Sequence, residues 1–517
     1  MKKRVLAMAM TLAMALSLLP VSALAVEEGS DSTTQTISSA IEAGETEITL
    51  SEDVTEDSFT IPADKSVVLN LNGHTLNVKQ INVLGTLEVQ NTGSAGKISA
   101  TPDDGTGAIA VDSGKFILTS GLIESTSYGV YLLNNAYAVV NGGEMKSKYA
   151  PLTGNNTTGD TNFTVNGGIL TAELGPAIYM PGQVELNIRD GILNGGISLR
   201  MGQVEISGGT INATDDNIDA IENYYNYSGN AWLADALYVF GGTYTSDNES
   251  YGNSLNLEIT GGEFNCENSQ GSAVAIYDLG RVAQDMTVTI SDKAELYTDA
   301  KARDAYAVLN LKDLGVDNIE TGFNEENLIG KVDTEITGGT FSSNVSEYVP
   351  ENYVSVEEDG KYVVKPIQDV AVAQIGDDYY MTLQEAVTAA SSEDKIILLQ
   401  SVTGDGIIAQ GDDNFVLDLN EKTYTINKTV GSAGTETNGM QFLKGAKVTI
   451  ENGSIAFNNA KIGIKNYCDL TLNNVILTST ATANPVINNC GQLEVNGAST
   501  RIIANDTEWA ITTGNYH

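Results

Sequence analysis

A seven-residue phrase, Phe163-Thr164-Val165-Asn166-Gly167-Gly168-Ile169, alternates β-forming residues and then turns on two glycines. Related phrases recur along much of the chain, and their last glycines are Gly121, Gly143, Gly168, Gly191, Gly209, Gly242, Gly262 and Gly339. In residue numbering, the steps between these glycines are 22, 25, 23, 18, 33, 20 and 77. A period near 22, carried by short strands and glycine turns, predicts stacked repeats.

The irregular steps favour an all-β right-handed parallel β-helix, because this solenoid places extra residues in loops between its strands. A propeller blade would need about 40 residues, and a leucine-rich repeat would show a regular leucine pattern that this chain lacks. Inward side chains such as Val165, Ile206 and Ile259 are expected to stack on one another. Residues 67–342 would then form about twelve coils with a rise of ~4.8 Å each. The phrase at Phe240-Gly241-Gly242 would mark one coil, and the longest step would hold about three.

A solenoid needs caps at its open ends, and the sequence supplies a short amphipathic helix twice. Thr382 and Glu385 form a Thr-x-x-Glu capping box ahead of an apolar helical face. The segment that begins at Thr36 aligns with this one, although Ser39 replaces the glutamate. Further on, residues 68–75 align with residues 416–423. The alignment predicts a duplication, with two tandem β-helices that each begin with a capping helix.

The predicted organisation is a signal peptide at 1–25, a first β-helix with its cap at 26–342, a connector at 343–366 and a second β-helix at 367–517. Asp359-Gly360 stands between two alternating runs, which indicates a β-hairpin in the connector. The second β-helix has room for about six coils at this period. We therefore expect a short or truncated second unit.

The first residues have the pattern of a secretory signal. A positive start, Lys2-Lys3-Arg4, precedes an apolar run, and the small residues before Ala25 and Val26 predict cleavage between these two. The run is shorter than a membrane-spanning helix. The mature protein is therefore expected to be secreted or held at the cell surface, with no membrane insertion after the signal is removed.

The charge balance excludes several classes of partner. The chain has 27 Lys and Arg against 67 Asp and Glu, a net charge of −40. Nucleic acids and anionic membranes need clustered basic residues, so neither is an expected partner. A polyuronate would need bridging Ca²⁺ or a local arginine patch. Neutral glycans or basic surface proteins are the better first expectation.

The connector and the segment after it carry a family resemblance. Gly338-Gly339-Thr340-Phe341-Ser342-Ser343 leads into Tyr348-Val349 and Tyr362-Val363-Val364, followed by residues 375–386 with the second capping box. With these phrases the chain resembles the pectin-lyase-like, right-handed parallel β-helix surface proteins of Gram-positive gut bacteria. The resemblance covers essentially the whole mature chain. It implies an exported, often multi-unit cell-surface protein.

The β-helix fold also occurs in polysaccharide lyases and glycoside hydrolases, but fold alone does not assign an activity. The Gly-His-Gly and Arg-Ile-Lys motifs of polygalacturonase-like hydrolases are absent from this sequence. The internal histidine, His74, aligns with Lys422 in the second copy, so we interpret it as structural. No catalytic residue is assigned. Arg189 and Arg200 could share a face as a uronate clamp, or they could be solvated surface residues that offset excess acid.

The step from Gly209 to Gly242 contains an acidic and aromatic insertion. Inserted loops are where solenoids place binding surfaces, so its aromatic residues are candidates for glycan binding: Tyr224, Tyr225, Tyr227 and Trp232. Its acidic residues form a weak Ca²⁺ candidate: Asp215, Asp216 and Asp219. The segment lacks the glycine and glutamate of an EF-hand loop. The alternative is a loop that packs its own aromatics onto the solenoid.

Cys468 and Cys490 are separated by about one repeat and could stack on neighbouring coils, either as unreactive thiols or as a disulfide. Together with the repeats and the insertion, the sequence predicts a non-enzymatic adhesin or binding spacer directed at a glycan. Two alternatives stay open. One is a Ca²⁺-dependent polysaccharide lyase or glycoside hydrolase, and the other is a passive structural stalk.

Overall fold

Parallel β-strands make up most of the structure, a computed structural model. It describes residues 22–23, 36–154, 161–213, 235–241, 255–266, 272–278, 286–298, 308–310, 332–479, 485–504 and 509–514. The chain divides into two compact units, Met1–Val364 and Lys365–His517. The predicted cleavage residues Ala25 and Val26 lie outside the described residues.

The strands of the first unit and its connector are β1 (Ser22–Ala23), β2 (Glu47–Thr49), β3 (Val54–Ile61), β4 (Ser66–Asn70), β5 (Thr75–Val83), β6 (Thr86–Gln90), β7 (Lys97–Ala100), β8 (Gly107–Asp112), β9 (Lys115–Leu118), β10 (Leu122–Ser125), β11 (Tyr128–Leu133), β12 (Tyr137–Val140), β13 (Glu144–Ser147), β14 (Leu152–Gly154), β15 (Thr161–Ala172), β16 (Ile178–Asn194), β17 (Ile197–Asn212), β18 (Leu237–Gly241), β19 (Leu255–Cys266), β20 (Val274–Asp278), β21 (Met286–Ile290), β22 (Glu295–Thr298), β23 (Val308–Asn310), β24 (Val332–Ile336), β25 (Thr340–Phe341), β26 (Tyr353–Glu358) and β27 (Lys361–Pro366).

The strands of the second unit are β28 (Ala373–Ile375), β29 (Asp378–Tyr380), β30 (Asp394–Leu398), β31 (Val402–Asp405), β32 (Ile407–Ala409), β33 (Asn414–Asp418), β34 (Thr423–Lys428), β35 (Asn438–Phe442), β36 (Lys447–Phe457), β37 (Ile462–Asn466), β38 (Asp469–Ser479), β39 (Ile487–Asn489), β40 (Gln492–Asn496), β41 (Arg501–Ile503) and β42 (Ile511–Thr513). The α-helices are α1 (Ile37–Ala43), α2 (Ile367–Val370) and α3 (Leu383–Ala389), and Ser346–Tyr348 is a 3₁₀ helix. None of the helices among the described residues is long and apolar enough to cross a membrane.

Strands of the first unit pair in parallel with strands about one repeat further along the chain. In β10, Leu122 lies between Lys97 of β7 and Glu144 of β13. The first such column of strands runs β2, β4, β6, β9, β12, β15, β16, β17, β19, β21 and β24. Two further columns run beside it. The second column contains β7, β10 and β13, and the third column contains β8, β11 and β14.

Apolar side chains alternate along these strands and meet in one continuous core. Val165, Ile206 and Ile259 are fully buried, as predicted. Their backbones are also in register, since Ile206 lies opposite Ile259. Burying one such side chain contributes ~1.5–3 kcal/mol, and a parallel sheet shields each one from water. The core therefore grows with every added strand.

Among the described residues of the first unit, the first column holds fewer strands than the number of coils that the sequence predicts. Ile206 pairs directly with Ile259, so the predicted coil at Phe240-Gly241-Gly242 is not part of the first column. Leu237–Gly241 instead pairs beside Ile197–Leu199, in the third column. The glycines at the end of a strand have the same sequence pattern in every column, so the pattern does not indicate which column a strand joins. From β4 to β24, the described residues hold ten first-column strands rather than the twelve expected.

Each unit contains a seven-residue helix close to its first parallel strands, and the two helices are capped differently. Thr382 and Glu385 form the predicted reciprocal capping box on α3. On α1, Thr36 accepts a hydrogen bond from the Ser39 amide, but no glutamate completes the box. The carboxylate of Glu56 in β3 replaces it and accepts bonds from the amides of Ile37 and Ser38 at 2.9 and 3.1 Å. A distant strand thus supplies the missing cap.

The correspondence between the two aligned segments extends to individual turn bonds. Asn72 and Asn420 both have positive φ, at 47° and 48°. Each amide side chain donates to a carbonyl of the preceding repeat, that of Leu50 or that of Leu398. Asparagine tolerates this left-handed conformation better than most residues. The same residue therefore makes the same turn in both units.

The second unit uses the same parallel pairing. Among the described residues of this unit, the main column runs β30, β33, β36, β38 and β40, five strands where the sequence predicts about six coils. The antiparallel pair β28 and β29 covers the outer edge of β30. An edge strand covered in this way is protected from pairing with another chain.

The connector contains the predicted hairpin turn. Asp359 and Gly360 both have positive φ, as expected for a tight turn between strands. They lie between β26 and β27. Through Tyr362 and Val363, β27 pairs antiparallel with β25. The connector therefore ends the parallel sheet of the first unit with an antiparallel strand.

Candidate functional site

Three half-buried tyrosines form a cluster on the first unit. Tyr128 and Tyr131 lie in β11, and Tyr149 lies in the turn after β13. The rings of Tyr128 and Tyr131 are 5.8 Å apart between centroids and meet edge to face at 74°. The rings of Tyr128 and Tyr149 are 5.2 Å apart and tilted by 42°. We call Tyr128, Tyr131 and Tyr149 the tyrosine cluster.

The parallel register brings the cluster together. The Tyr149 amide donates to the carbonyl of Ser127 at 3.2 Å, which fixes Tyr149 one repeat beyond Tyr128. Strand β8 lies on the other side of β11, and a Cβ added at Gly107 would lie 2.6 Å from the Cβ of Tyr131. Glycine at this position therefore gives the Tyr131 side chain room to lie beside Tyr128.

Charged side chains border the cluster. The Nζ of Lys148 lies 4.4 Å above the centre of the Tyr149 ring and 3.3 Å from a carboxylate oxygen of Asp104. Hydrogen bonds from Lys148 to Tyr149 and Asp104 raise the pKa of this lysine, so it stays charged. The border of the cluster therefore contains a cation and a carboxylate.

Burial raises the pKa of Tyr128, and the neighbouring tyrosines and Asp104 raise it further. The phenol is therefore protonated at neutral pH and keeps its O–H as a hydrogen-bond donor. The cluster joins an apolar, polarisable surface to polar groups at its margin. Such an arrangement suits a ligand with one apolar face and many hydroxyl groups.

None of the sequence-based predictions includes this cluster. A signal was present, because the spacing of Tyr128 and Tyr149 is close to one repeat. Side chains one repeat apart in a parallel stack are neighbours in space. Aromatic residues at the repeat spacing are therefore a sequence signal for such a cluster.

The predicted aromatic and acidic insertion falls outside the described residues. This applies to the glycan candidates Tyr224, Tyr225, Tyr227 and Trp232 and to the Ca²⁺ candidates Asp215, Asp216 and Asp219. Across the described ranges, no group of three or more His, Cys, Asp or Glu side chains could hold a metal ion. The Ca²⁺ and glycan assignments within the insertion stay predictions.

Arg189 and Arg200 do not form the shared exposed face that the sequence allowed. Arg189 is exposed, and its guanidinium donates to the side-chain oxygen of Asn166 at 3.1 Å. Arg200 in β17 is only 3% exposed. A clamp for a polymer needs both guanidinium groups at the surface, so this pair does not provide one. The spacing of the residues in sequence did not reveal that β17 is buried at this point.

His74 occupies a turn position, in agreement with a structural role. Its backbone amide donates to the carbonyl of Leu71, and Lys422 makes the equivalent bond to Leu419 in the second unit. Its ring nitrogen Nδ1 lies 3.7 Å from Asp53. The backbone bond is the same with histidine or lysine, so the turn does not depend on an imidazole.

The second unit contains a cavity of about 640 Å³ beside its capping helix. Apolar walls come from Val372, Leu383, Val402, Ile408, Tyr424 and Val430. The Tyr424 hydroxyl donates to the Asp405 carbonyl at 2.6 Å, and burial, then Asp405, raises the pKa of this phenol. An ion pair between Lys428 and Asp405, at 2.9 Å, lies at the rim. The volume is in the usual range for ligand pockets.

Cys468 and Cys490 are free thiols, so they do not form a disulfide. They are also not stacked, because the local register offsets one from the other. Asn466 pairs with Asn489 and Asp469 with Gln492, which places Cys490 beside Tyr467. Cys468 is buried and Cys490 half-buried. A one-residue difference in register moves a side chain to the other face of a strand.

No protein-family model, curated protein or solved structure matches this chain. The resemblance to pectin-lyase-like surface proteins therefore stays a prediction.

Proposed function

We propose that the chain is a secreted or cell-surface protein built from two right-handed parallel β-helices, which binds an extracellular glycan and acts as an adhesin or binding spacer. The observation that carries the proposal is the tyrosine cluster. The predicted signal peptide supports export. Three columns of parallel strands, with partners about one repeat apart, support the β-helix, and a right-handed crossover is the rule for parallel strands.

The tyrosine cluster supports glycan binding through its chemistry. Pyranose rings have faces of C–H groups that pack on aromatic rings, and their hydroxyls bond to charged and polar side chains. Tyr128 and Tyr149 supply the rings, while Lys148 and Asp104 supply polar groups beside them. Strand β11 holds Tyr128, and the backbone bond from Tyr149 to Ser127 fixes the second ring before any ligand arrives. Little side-chain entropy would then be lost on binding.

The charge of the chain indicates which glycans to test first. With a net charge of −40, long-range repulsion opposes a polyanionic chain. At the cluster itself, Lys148 is already paired with Asp104. Neutral or amino-substituted polysaccharides are therefore the preferred ligands, and uronate polymers are disfavoured.

A binding assay with matched variants tests the proposal. The mature chain is titrated with neutral, amino-substituted and uronate oligosaccharides by calorimetry, with and without Ca²⁺. Tyr128→Ala combined with Tyr149→Ala is expected to weaken binding at least tenfold, about 1.4 kcal/mol. Tyr137→Ala is the matched control, because Tyr137 is 48% exposed and makes no ring contact among the described residues.

Three results would contradict the proposal. Binding that is unaffected by the double substitution would place the glycan site elsewhere, including the insertion at 214–234. The absence of binding to every glycan would favour a passive stalk. Release of unsaturated or reducing sugar ends would favour a lyase or hydrolase instead.

A further inference from the structure

Strand β31 lies at an edge of its sheet. Along one edge, Val402 and Thr403 pair with Tyr424 and Thr425 of β34. Within the described part of the chain, β31 is the last strand on this side of the sheet. In a strand, alternate residues direct their backbone N–H and C=O groups to opposite edges. Half of the backbone groups of β31 therefore face away from β34.

The cavity of the second unit lies along this strand. Residues 402–406 line one side, and residues 381–384, at the start of the capping helix, line the other. A four-residue edge is about 13 Å long at ~3.3 Å per residue. The cavity is thus a groove with a strand edge on one wall and apolar side chains within it. These are the features that strand addition uses.

The first unit shows how the equivalent space can be closed. The alignment of Val68 with Val416 places Glu56 at the position of Gly404. Glu56 points towards the capping helix and bonds to the amides of Ile37 and Ser38. No side chain extends from Gly404 in the second unit. The carboxylate at this position in the first unit therefore has no counterpart in the second.

A second exchange accompanies this one. The alignment places Leu76 of the first unit at the position of Tyr424. A Cβ at Gly404 would lie 2.4 Å from the Tyr424 hydroxyl, so tyrosine here requires glycine there. The Tyr424 hydroxyl in turn bonds to the backbone carbonyl of Asp405. The Gly404–Tyr424 pair thus shapes one end of the groove.

The orientation of β31 determines which peptides fit. Val402 and Gly404 are half-buried and face the core, whereas Thr403 and Asp405 are exposed. A strand added to this edge would place alternate side chains over Val402 and Gly404. Those side chains must be apolar. The acidic chain favours a partner without net negative charge.

We propose that the edge of β31 binds an extended, neutral or basic peptide segment of another protein by strand addition, with alternate apolar side chains seated in the groove. This inference concerns a protein partner at the second unit. It is independent of glycan binding at the tyrosine cluster.

The test uses the full mature chain and a labelled hexapeptide, acetyl-Thr-Tyr-Thr-Ile-Asn-Lys. The peptide copies residues 423–428, which already pair with β31 on its other edge. Fluorescence anisotropy measures its affinity. The same peptide with alternate amides N-methylated is the control, because it cannot donate hydrogen bonds to an edge. Hydrogen exchange of the unmodified protein then locates the bound peptide.

Two variants complete the design. Gly404→Glu combined with Tyr424→Leu installs the pair present in the first unit and is expected to weaken binding at least tenfold. Gln492→Glu adds the same charge at an exposed position of β40 and is expected to leave the affinity unchanged. Thermal unfolding of each variant reports whether it folds.

Saturable binding, with protection of the amides of residues 402–405 from exchange, supports the proposal even if the double variant is unstable. Three outcomes overturn it: no saturable binding, equal binding of the N-methylated peptide, or protection that lies outside β31. Equal binding by a well-folded double variant overturns it as well.

Discussion

Replacing Glu56 with alanine would remove the side chain that caps α1 from a distance. Its carboxylate accepts three hydrogen bonds, from the amides of Ile37 and Ser38 and from the Ser38 hydroxyl at 2.7 Å. Glu56 lies in β3, outside the helix and beyond the turn that follows it. The substitution therefore removes hydrogen bonds between the capping helix and the first repeat without changing any residue of the helix.

The hydrogen bonds in the structure give the expected decrease in the free energy of unfolding. A hydrogen bond to a charged group contributes ~1.5–3 kcal/mol when sheltered, and an ordinary one ~1 kcal/mol. Because Glu56 is only partly sheltered from water, we take about 1 kcal/mol for each bond, or about 3 kcal/mol for Glu56→Ala. Glu56→Gln keeps one acceptor oxygen and should lose about 1–2 kcal/mol. Glu385→Ala, which removes one capping bond from α3, should lose ~1 kcal/mol.

Native-state hydrogen exchange is the suitable assay, because repeat proteins open locally rather than in one step. In Glu56→Ala, the amides of residues 40–43 should exchange about 100-fold faster, since a difference of about 1.4 kcal/mol is a factor of ten. Amides of α3 should not change. Exchange in α1 that rises less than threefold would refute the reasoning, because the three bonds would then contribute almost nothing.

Two further predictions concern titrating groups in the second unit. Burial alone would raise the pKa of Asp418, but bonds from Lys395, the Asn420 amide and Asn452 hold it below its ordinary value of 3.8. Its ionised form therefore adds stability above that value, and this stability is lost as the pH falls through the lower folded pKa. Asp418→Asn should lower the free energy of unfolding at pH 7 and reduce the loss of stability with falling pH in a series of denaturation experiments. An unchanged dependence on acidic pH would contradict this. Burial, with a smaller effect of Asp469, raises the pKa of Cys468 to about 12. At pH 8 a thiol reagent should therefore modify Cys490 before Cys468, and equal rates by mass spectrometry would count against that assignment.

The all-β fold class could be predicted because the repeats are directly visible in the sequence. Alternating apolar residues such as Val165 and Ile206 lie next to equivalent apolar residues of the neighbouring repeats. The local sequence pattern therefore agrees with the tertiary contacts. The capping box of Thr382 and Glu385 was predictable for a similar reason, since its residues are close in sequence and bond to each other.

The column that a strand joins was less predictable. Leu237–Gly241 carries the same glycine ending as first-column strands but pairs in the third column. The glycine ending is a local pattern, whereas the column depends on which strand the segment pairs with. The predicted stacking of Cys490 on Cys468 was wrong for a related reason. One extra residue in the repeat moves a side chain to the other face of its strand.

The sequence by itself determined the all-β class and the two seven-residue helices, because these depend on short-range pattern and on repetition. Only the tertiary structure decided which side chains meet. It brought Tyr128 and Tyr149 together across a repeat, buried Arg200, joined Glu56 to the capping helix and left a groove at Gly404. Each of these depends on strand register and burial, which result from the packing of the whole unit and not from any one segment.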